Sequence, residues 1–293
     1  MLGAKSDGEA RACGDPGRHR HARAEKSVGN VHGSSETQNR SYNSTMTRWI
    51  RPIALIYGVL AYALGVRSLL YFVAFVGAFL VPKTIDSGPV GPPSAAAGVD
   101  TLLVFAFALS HSLLARRSVK DRLARRMGPA LVRSTYVAVS SISLSFLMWQ
   151  WRPILAPVWS VPTGVAARVL QASSVAGWVV ALVATLTLGQ PKLFGLRQAW
   201  AFFRRRALPP DELRTTGVYR LLRHPMYLGF VAGIWATPAM TSGHLLLAVL
   251  MTIYVVVGAR FEEDDLRVAH GGLWEDYRAR VPAVVTSKSW TPS

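Results

Sequence analysis

Apolar residues fall in six runs along the chain, at about 53–81, 99–115, 134–151, 165–188, 225–239 and 243–260, separated by polar or turn-forming stretches. A helix perpendicular to a bilayer needs roughly 20 residues to cross the hydrocarbon core. The fifth and sixth runs are short for that, so they predict a tilted or partly re-entrant hairpin turning at Pro238 to Gly243. Such short spans are tolerated where protein packs around them. The pattern as a whole predicts an all-α fold, a polytopic membrane helical bundle of five to six transmembrane segments. Residues 49–188 would supply the N-terminal transmembrane helices, and residues 189–293 the C-terminal hairpin and a tail. One charge interrupts the pattern: Arg67 lies near the middle of the first run. An arginine there either snorkels or pairs inside the bundle, or it belongs to a substrate path.

The polar stretches between the runs orient the bundle, because short cytoplasmic loops accumulate Lys and Arg. The loop after the second run carries Arg116, Arg117, Lys120, Arg122, Arg125, Arg126 and Arg133. The loop after the fourth carries Lys192, Arg197, Arg204, Arg205, Arg206, Arg214, Arg220 and Arg223. The intervening loops hold few cations: Lys83 in one, and Arg152 and Arg168 flanking another. Six crossings with both termini cytoplasmic fit this distribution. Residues 1–48 are rich in Gly, Ser, Arg, His and Asn, with no apolar run to bury, and read as a disordered basic leader. They lack the short apolar core and cleavage site of a signal peptide. Met46 stands directly before Thr47-Arg48-Trp49-Ile50-Arg51-Pro52 and the first apolar run, which raises the hypothesis that translation starts there.

Composition supports the membrane assignment: 51% of the 293 residues are hydrophobic. The single cysteine, Cys13, excludes a disulfide framework and a zinc site built from thiolates, and no metal site is predicted. A net charge of +17 raises the question of nucleic acid. The cations fall in loops between apolar runs, with no interleaved aromatic and basic groove, so anionic membrane lipid is the expected partner and nucleic acid is not.

The candidate chemistry lies at the membrane boundary. Thr215-Thr216-Gly217-Val218-Tyr219 precedes Arg220, Arg223 and His224, and Pro225 fits the first turn of the following helix. Such a helix start offers free backbone donors and positive dipole density to a carboxylate. At the far end of the hairpin, Glu262 and Glu263 offer acceptors to an ammonium group or to ribose hydroxyls. A zwitterionic amino acid joined to a nucleoside satisfies both halves. The competing reading is an internal salt bridge, Arg223 or Arg220 with Glu262 or Glu263, that only fastens the hairpin.

The order Arg223-His224-Pro225, Tyr227, Gly229, then Glu262-Glu263, Leu266, Gly271-Gly272, Tyr277 and Arg280-Val281-Pro282 resembles the integral membrane methyltransferases of the isoprenylcysteine carboxyl methyltransferase superfamily. The resemblance implies a methyltransferase core in residues 189–293 whose hairpin forms a site for S-adenosyl-L-methionine. It implies Tyr219, Arg223, His224, Pro225, Tyr227, Gly229, Glu262 and Glu263 as cofactor contacts.

Further segments narrow it: Val81 to Gly88, Ser110-His111-Ser112, Arg133-Ser134-Thr135-Tyr136, Trp149-Gln150-Trp151-Arg152-Pro153, Leu193 to Gln198 and Trp235 to His244. Together they are similar to the bacterial methanethiol S-methyltransferases, over nearly everything after residue 50. That implies a small thiol substrate and dimethyl sulfide as product. One departure stands out. Gly189-Gln190-Pro191-Lys192 lies where the resemblance leads one to expect Asn-His, and a glutamine cannot replace a histidine as base.

Thiol methylation is an in-line displacement, so the protein must chiefly align sulfur with the methyl carbon and exclude water. Arg197, Gln198 and His111 are the candidates for a catalytic role, and Trp149, Trp151, Phe194 and Trp235 for the walls of a small apolar pocket. Each has a plainer alternative: Trp149 and Trp151 lie where an aromatic belt belongs, and His111 lies where it can bond a neighbouring helix. His244, near the opposite face, reads as structural. A different acceptor, an isoprenylcysteine carboxylate or a phospholipid amine, keeps the same cofactor site. A non-catalytic binding or transport protein would need only the salt bridges. The start at Met46 predicts that mass spectrometry of the natural protein recovers no peptide from residues 1–45, and one such peptide refutes it.

Overall fold

In lipid a helix must satisfy its own backbone, and five helices are long and apolar enough to do so across a membrane. The computed structural model describes residues 50–208 and 212–283, so the leader at 1–48 and Met46 lie outside the described residues. In chain order the helices are α1 (Ile50–Gly77), α2 (Pro93–Ala115), α3 (Arg117–Met127), α4 (Pro129–Gln150), α5 (Val165–Leu188), α6 (Gln190–Leu193), α7 (Leu196–Phe203), α8 (Pro225–Trp235), α9 (Ser242–His270) and α10 (Gly272–Arg280). The five candidate spans are α1, α2, α4, α5 and α9. The protein is a polytopic helical membrane protein, as its apolar pattern predicts. The two cation-rich loops prove to be partly helical. α3 is a basic surface helix, and α7 lays Ala199, Ala201 and Phe202 inward against the start of α1.

The fifth apolar run differs from a simple helical arm. α8 has 11 residues, a rise of about 16 Å against a hydrocarbon core of about 30 Å. Pro238 explains the early stop, since the residue before a proline is pushed out of helical geometry. The chain continues extended into β2 (Ala239–Thr241), which pairs antiparallel with β1 (Pro157–Ser160). Backbone bonds from Val161 N to Pro238 O (2.8 Å), Ser242 N to Ala156 O (2.8 Å) and Gly243 N to Ile154 O (3.0 Å) satisfy the non-helical stretch. The hairpin is therefore a half-length helix and a strand returning into the full-length α9.

Two contacts set the arrangement around α8. A Cβ on Gly177 of α5 would lie 2.6 Å from Gly233 N and 2.8 Å from Gly229 O, and one on Gly229 would lie 2.5 Å from Gly177 O. Only small residues allow two helices this close. Ser174 Oγ adds a bond to Gly233 O at 2.8 Å. Elsewhere a core of Phe72, Phe75, Leu144, Leu147, Trp151 and Leu247 joins α1, α4 and α9. α1 and α4 run parallel, tied by Tyr57 to Thr135 (3.1 Å) and Ser68 to Ser145 (3.1 Å). Arg67 lies on the exposed side of α1, outside that seam.

The two ends of the bundle differ in chemistry. At one end lie the Arg-His-Pro turn, the Glu262-Glu263 pair and the cationic segments, with Arg133 Nε donating to Leu193 O at 2.6 Å. At the other, Lys83 Nζ donates to Trp149 O (2.7 Å), Thr241 Oγ1 to Asp86 (2.6 Å) and Arg152 N to Asp100 (2.9 Å). The close approach of α5 and α8 gives a direct test. Gly229→Val should lower stability in detergent by on the order of 1–3 kcal/mol, read as a fall in melting temperature. Gly98→Ala, where a Cβ meets nothing within 4 Å, should not.

Candidate functional site

The Arg-His-Pro turn is held from three directions. Upstream, a 3₁₀ turn at Gly217–Arg220 begins with Gly217 at φ +60, where a Cβ would strike Thr187 at 2.9 Å, so glycine is required. From the C-terminal side, Tyr277 of α10 donates its hydroxyl to Tyr219 O (2.7 Å), and Arg223 N donates to Pro282 O (2.9 Å). From α9 comes Glu263. Its Oε1 accepts from Arg223 Nε (2.9 Å) and from His224 Nε2 (2.9 Å), with Arg223 NH2 also 2.9 Å away. Arg223 NH1 donates to Val281 O (2.7 Å) and Arg278 O (3.2 Å). Four of the five guanidinium N–H groups are thereby committed inside the protein.

Those contacts divide the glutamate pair. Glu263, 16% exposed, is the internal fastener. Glu262, 45% exposed, turns outward and accepts from Tyr227 Oη on Oε2 at 2.6 Å. Its Oε1 takes no hydrogen bond among the described residues. His224 is the residue before α8, and its ring stacks on Tyr227 at 5.4 Å and 10°.

These side chains wall a cavity of about 130 Å³ lined by Leu188, Glu212, Leu213, Arg214, Tyr219, Arg223, His224, Met226, Tyr227, Glu262, Leu266, Trp274 and Tyr277. Arg214 Nε is buried there without a hydrogen-bond partner. Trp274 and Tyr277 pack with Leu213 and Leu266 to give the cavity an apolar side. Burial raises the Tyr277 phenol to about 12, and it raises that of Tyr219 further, with Glu262 adding to the effect. Both phenols stay neutral across the physiological range, suited to donate hydrogen bonds.

Of the residues expected to touch a cofactor, Tyr219, Arg223, His224, Tyr227 and Glu262 line the cavity. Pro225 and Gly229 are buried framework, and Glu263 acts through Arg223 and His224. Arg214 and Trp274 were missed. Arg214 reads in the sequence as one more loop cation, and Trp274 carries no signal of its own until the tail folds back on Leu213 and Leu266.

The four expected pocket walls are not brought together. Trp149 is 66% exposed on the outside of α4, and Trp151 is buried in the core edge-on to Phe75 at 6.3 Å. Trp235 donates to Thr252 Oγ1 at 2.9 Å, and Phe194 lies edge-on to Tyr62 at 5.8 Å. Trp151 follows Tyr136 by fifteen residues, about 22 Å of helical rise, so the tryptophans near residue 150 sit at the other end of the bundle. Arg197 is exposed on α7. Gln198 donates to Lys192 O at 3.1 Å, with its Oε1 buried and unpartnered. Gln190 reaches Thr185 Oγ1 at 3.5 Å. His111 is bound by two tyrosines, Tyr136 and Tyr254, through both ring nitrogens.

The roles of the two glutamates separate by measurement. Glu263→Ala leaves the buried Arg223 guanidinium without its counter-ion and His224 Nε2 without its acceptor, and should destabilise the protein by on the order of 3 kcal/mol, whereas Glu262→Ala should leave the melting temperature within about a degree or two. Equal losses in both would contradict the division.

Comparison with known proteins bears on the whole chain. The family model described as NnrU protein matches residues 101–287. Methanethiol S-methyltransferase 2 of Bradyrhizobium diazoefficiens is 44% identical over 231 residues, covering 79% of this chain and 89% of that protein. Methanethiol S-methyltransferase of Mycobacterium tuberculosis is 38% identical over 231 residues, covering 79% and 95%. Nurim of Xenopus laevis is a more distant relative, 28% identical over 179 residues, covering 57% and 61%. No solved structure matches the chain. With a family model matched over more than half its length and relatives aligned over most of theirs, the chain belongs to the NnrU protein family, together with the methanethiol S-methyltransferases.

Proposed function

We propose that the protein is a membrane methyltransferase that transfers the methyl group of S-adenosyl-L-methionine to methanethiol, or a similarly small thiol, releasing dimethyl sulfide. The relatives' names supply the acceptor. The observation that carries the donor is a cavity with an unpartnered buried guanidinium nitrogen on Arg214 and an uncommitted carboxylate oxygen on Glu262. The placement of Lys and Arg supports a cytoplasmic position for this end of the bundle, in a bacterial inner membrane.

The residues present fit the donor. Arg214 and the free amides at the start of α8 suit its carboxylate, and Glu262 suits its ammonium or ribose hydroxyls. Trp274, Leu213 and Leu266 give the adenine an apolar surface. The bound donor supplies an activated methyl on a cationic sulfur. The chain supplies alignment and dryness: Glu263 fixes Arg223 and His224, His224 supports the Tyr227 ring, and Tyr227 aims Glu262. Holding the donor rigid against an approaching sulfur is the main lever in such a displacement.

Purified protein with S-adenosylmethionine and methanethiol should yield dimethyl sulfide by gas chromatography, and a failure to form it sinks the assignment. Calorimetry should show that Arg214→Ala and Glu262→Ala each weaken donor binding by about 10- to 100-fold, the worth of one charge-assisted hydrogen bond. Wild-type affinity in both would place the donor elsewhere.

A further inference from the structure

The tryptophans leave the acceptor without a site near the cavity, and a polar cluster lies where one is needed. His111, in the last turns of α2, has Nε2 2.6 Å from Tyr136 Oη of α4 and Nδ1 2.6 Å from Tyr254 Oη of α9. Three helices separated widely in sequence contribute one imidazole and two phenols. Ionisable groups inside transmembrane helices are costly and mark functional positions.

The cluster lies toward the cavity end of the bundle: Tyr254 precedes Glu262 by eight residues on α9, and Arg116, just past the end of α2, stands 4.2 Å over the Phe261 ring beside that glutamate. Between Tyr254 and Glu262, one turn from each along α9, stands Gly258. A Cβ there would meet nothing within 4 Å, so no other part of the described protein packs on α9 at that point.

We propose that the acceptor thiol occupies the space beside Gly258, and that Tyr136 and His111 form a relay that takes its proton. The proposal rests on the methyl-transfer reading above. A neutral imidazole has one donor and one acceptor nitrogen. With Nδ1–H donating to Tyr254, Nε2 accepts from Tyr136. As the thiol sulfur forms its bond to the methyl carbon, its S–H bond breaks with the electron pair kept on sulfur. That proton passes to Tyr136 Oη, and the tyrosine's own proton passes to His111 Nε2. The donor's carbon–sulfur bond breaks with its pair kept on the sulfonium sulfur, which becomes a neutral thioether. The imidazolium then releases one proton to water.

The reason for a base here is charge conservation. The donor's positive charge vanishes as the imidazolium's appears, so the site never has to hold an isolated thiolate or change its net charge in a low-dielectric interior. Arg133 stands 5.0 Å over the Tyr136 ring and opposes an imidazolium behind it, so the proton must leave promptly to water. Tyr136, Tyr254 and Tyr227 are neutral partners. Tyr136 touches the thiol, and His111 is a positioning and proton-storing residue behind it.

The test uses the full chain in detergent, with Tyr136→Phe and His111→Gln. Donor affinity is measured by calorimetry, and kcat against pH is measured with methanethiol and with 2,2,2-trifluoroethanethiol, whose fluorines acidify the thiol. Both variants should bind the donor as the wild type does and lose about 100-fold in kcat with methanethiol, typical of a lost general base. They should lose less than tenfold with the fluorinated thiol, and their methanethiol rate should climb with pH. Equal losses on both thiols would make the cluster a helix staple and overturn the relay, as would unchanged rates. Should His111→Gln fail to insert, the near-isosteric Tyr136→Phe decides. Wild-type protein that neither binds the donor nor methylates either thiol would sink the functional reading itself, a result separable from failure of the variants.

Discussion

A single carboxylate oxygen at the end of α9 organises the site. Glu263 Oε1 receives both Arg223 and His224, and Arg223 in turn grips the carbonyls of Arg278 and Val281. One ion pair therefore joins the long helix, the turn before α8 and the returning tail. Buried pairs of this kind rarely add much net stability, but breaking one leaves an uncompensated charge. The constraint acts through specificity: with Glu263 committed, His224 is locked under Tyr227, and Tyr227 can hold only Glu262.

That commitment shifts the weight within the motif. Arg223 is the most conspicuous cation of the boundary turn, yet four of its five donors are committed inside the protein, and the cavity's unpartnered guanidinium nitrogen is on Arg214. The salt-bridge reading is realised by Glu263, and Glu262 is the member left facing the cavity. Adjacent residues on a helix point about 100° apart, enough to send one carboxylate inward and the other toward the cavity.

The segments that resemble the thiol methyltransferases divide between the two ends of the bundle. Val81 to Gly88, Trp149 to Pro153 and Trp235 to His244 knit together away from the cavity, through Lys83 with Trp149, Thr241 with Asp86, and buried His244 with Ile234 O at 2.8 Å. Ser110 to Ser112 and Arg133 to Tyr136 lie beside the cavity instead. The first group closes the bundle where α8 gives way to a strand. Trp151 and His244 are buried there, whereas the Trp149 side chain faces outward.

The sequence by itself determined the membrane class, the spans and the polar boundary, because apolar run length and cation placement report directly on lipid and are local along the chain. The run at 165–188 was legible to the residue, and Pro238 marked the turn. The helical caps of the cationic loops and the half-length α8 were less so, since short helices carry little periodic signal. Only the tertiary structure decided which glutamate faces the cavity, that Arg214 and Trp274 line it, and that His111 meets Tyr136 and Tyr254. Those facts depend on contacts between residues as far apart as 111 and 254, set by how helices rotate and pack. A pattern read along one chain cannot contain a rotation about another helix's axis.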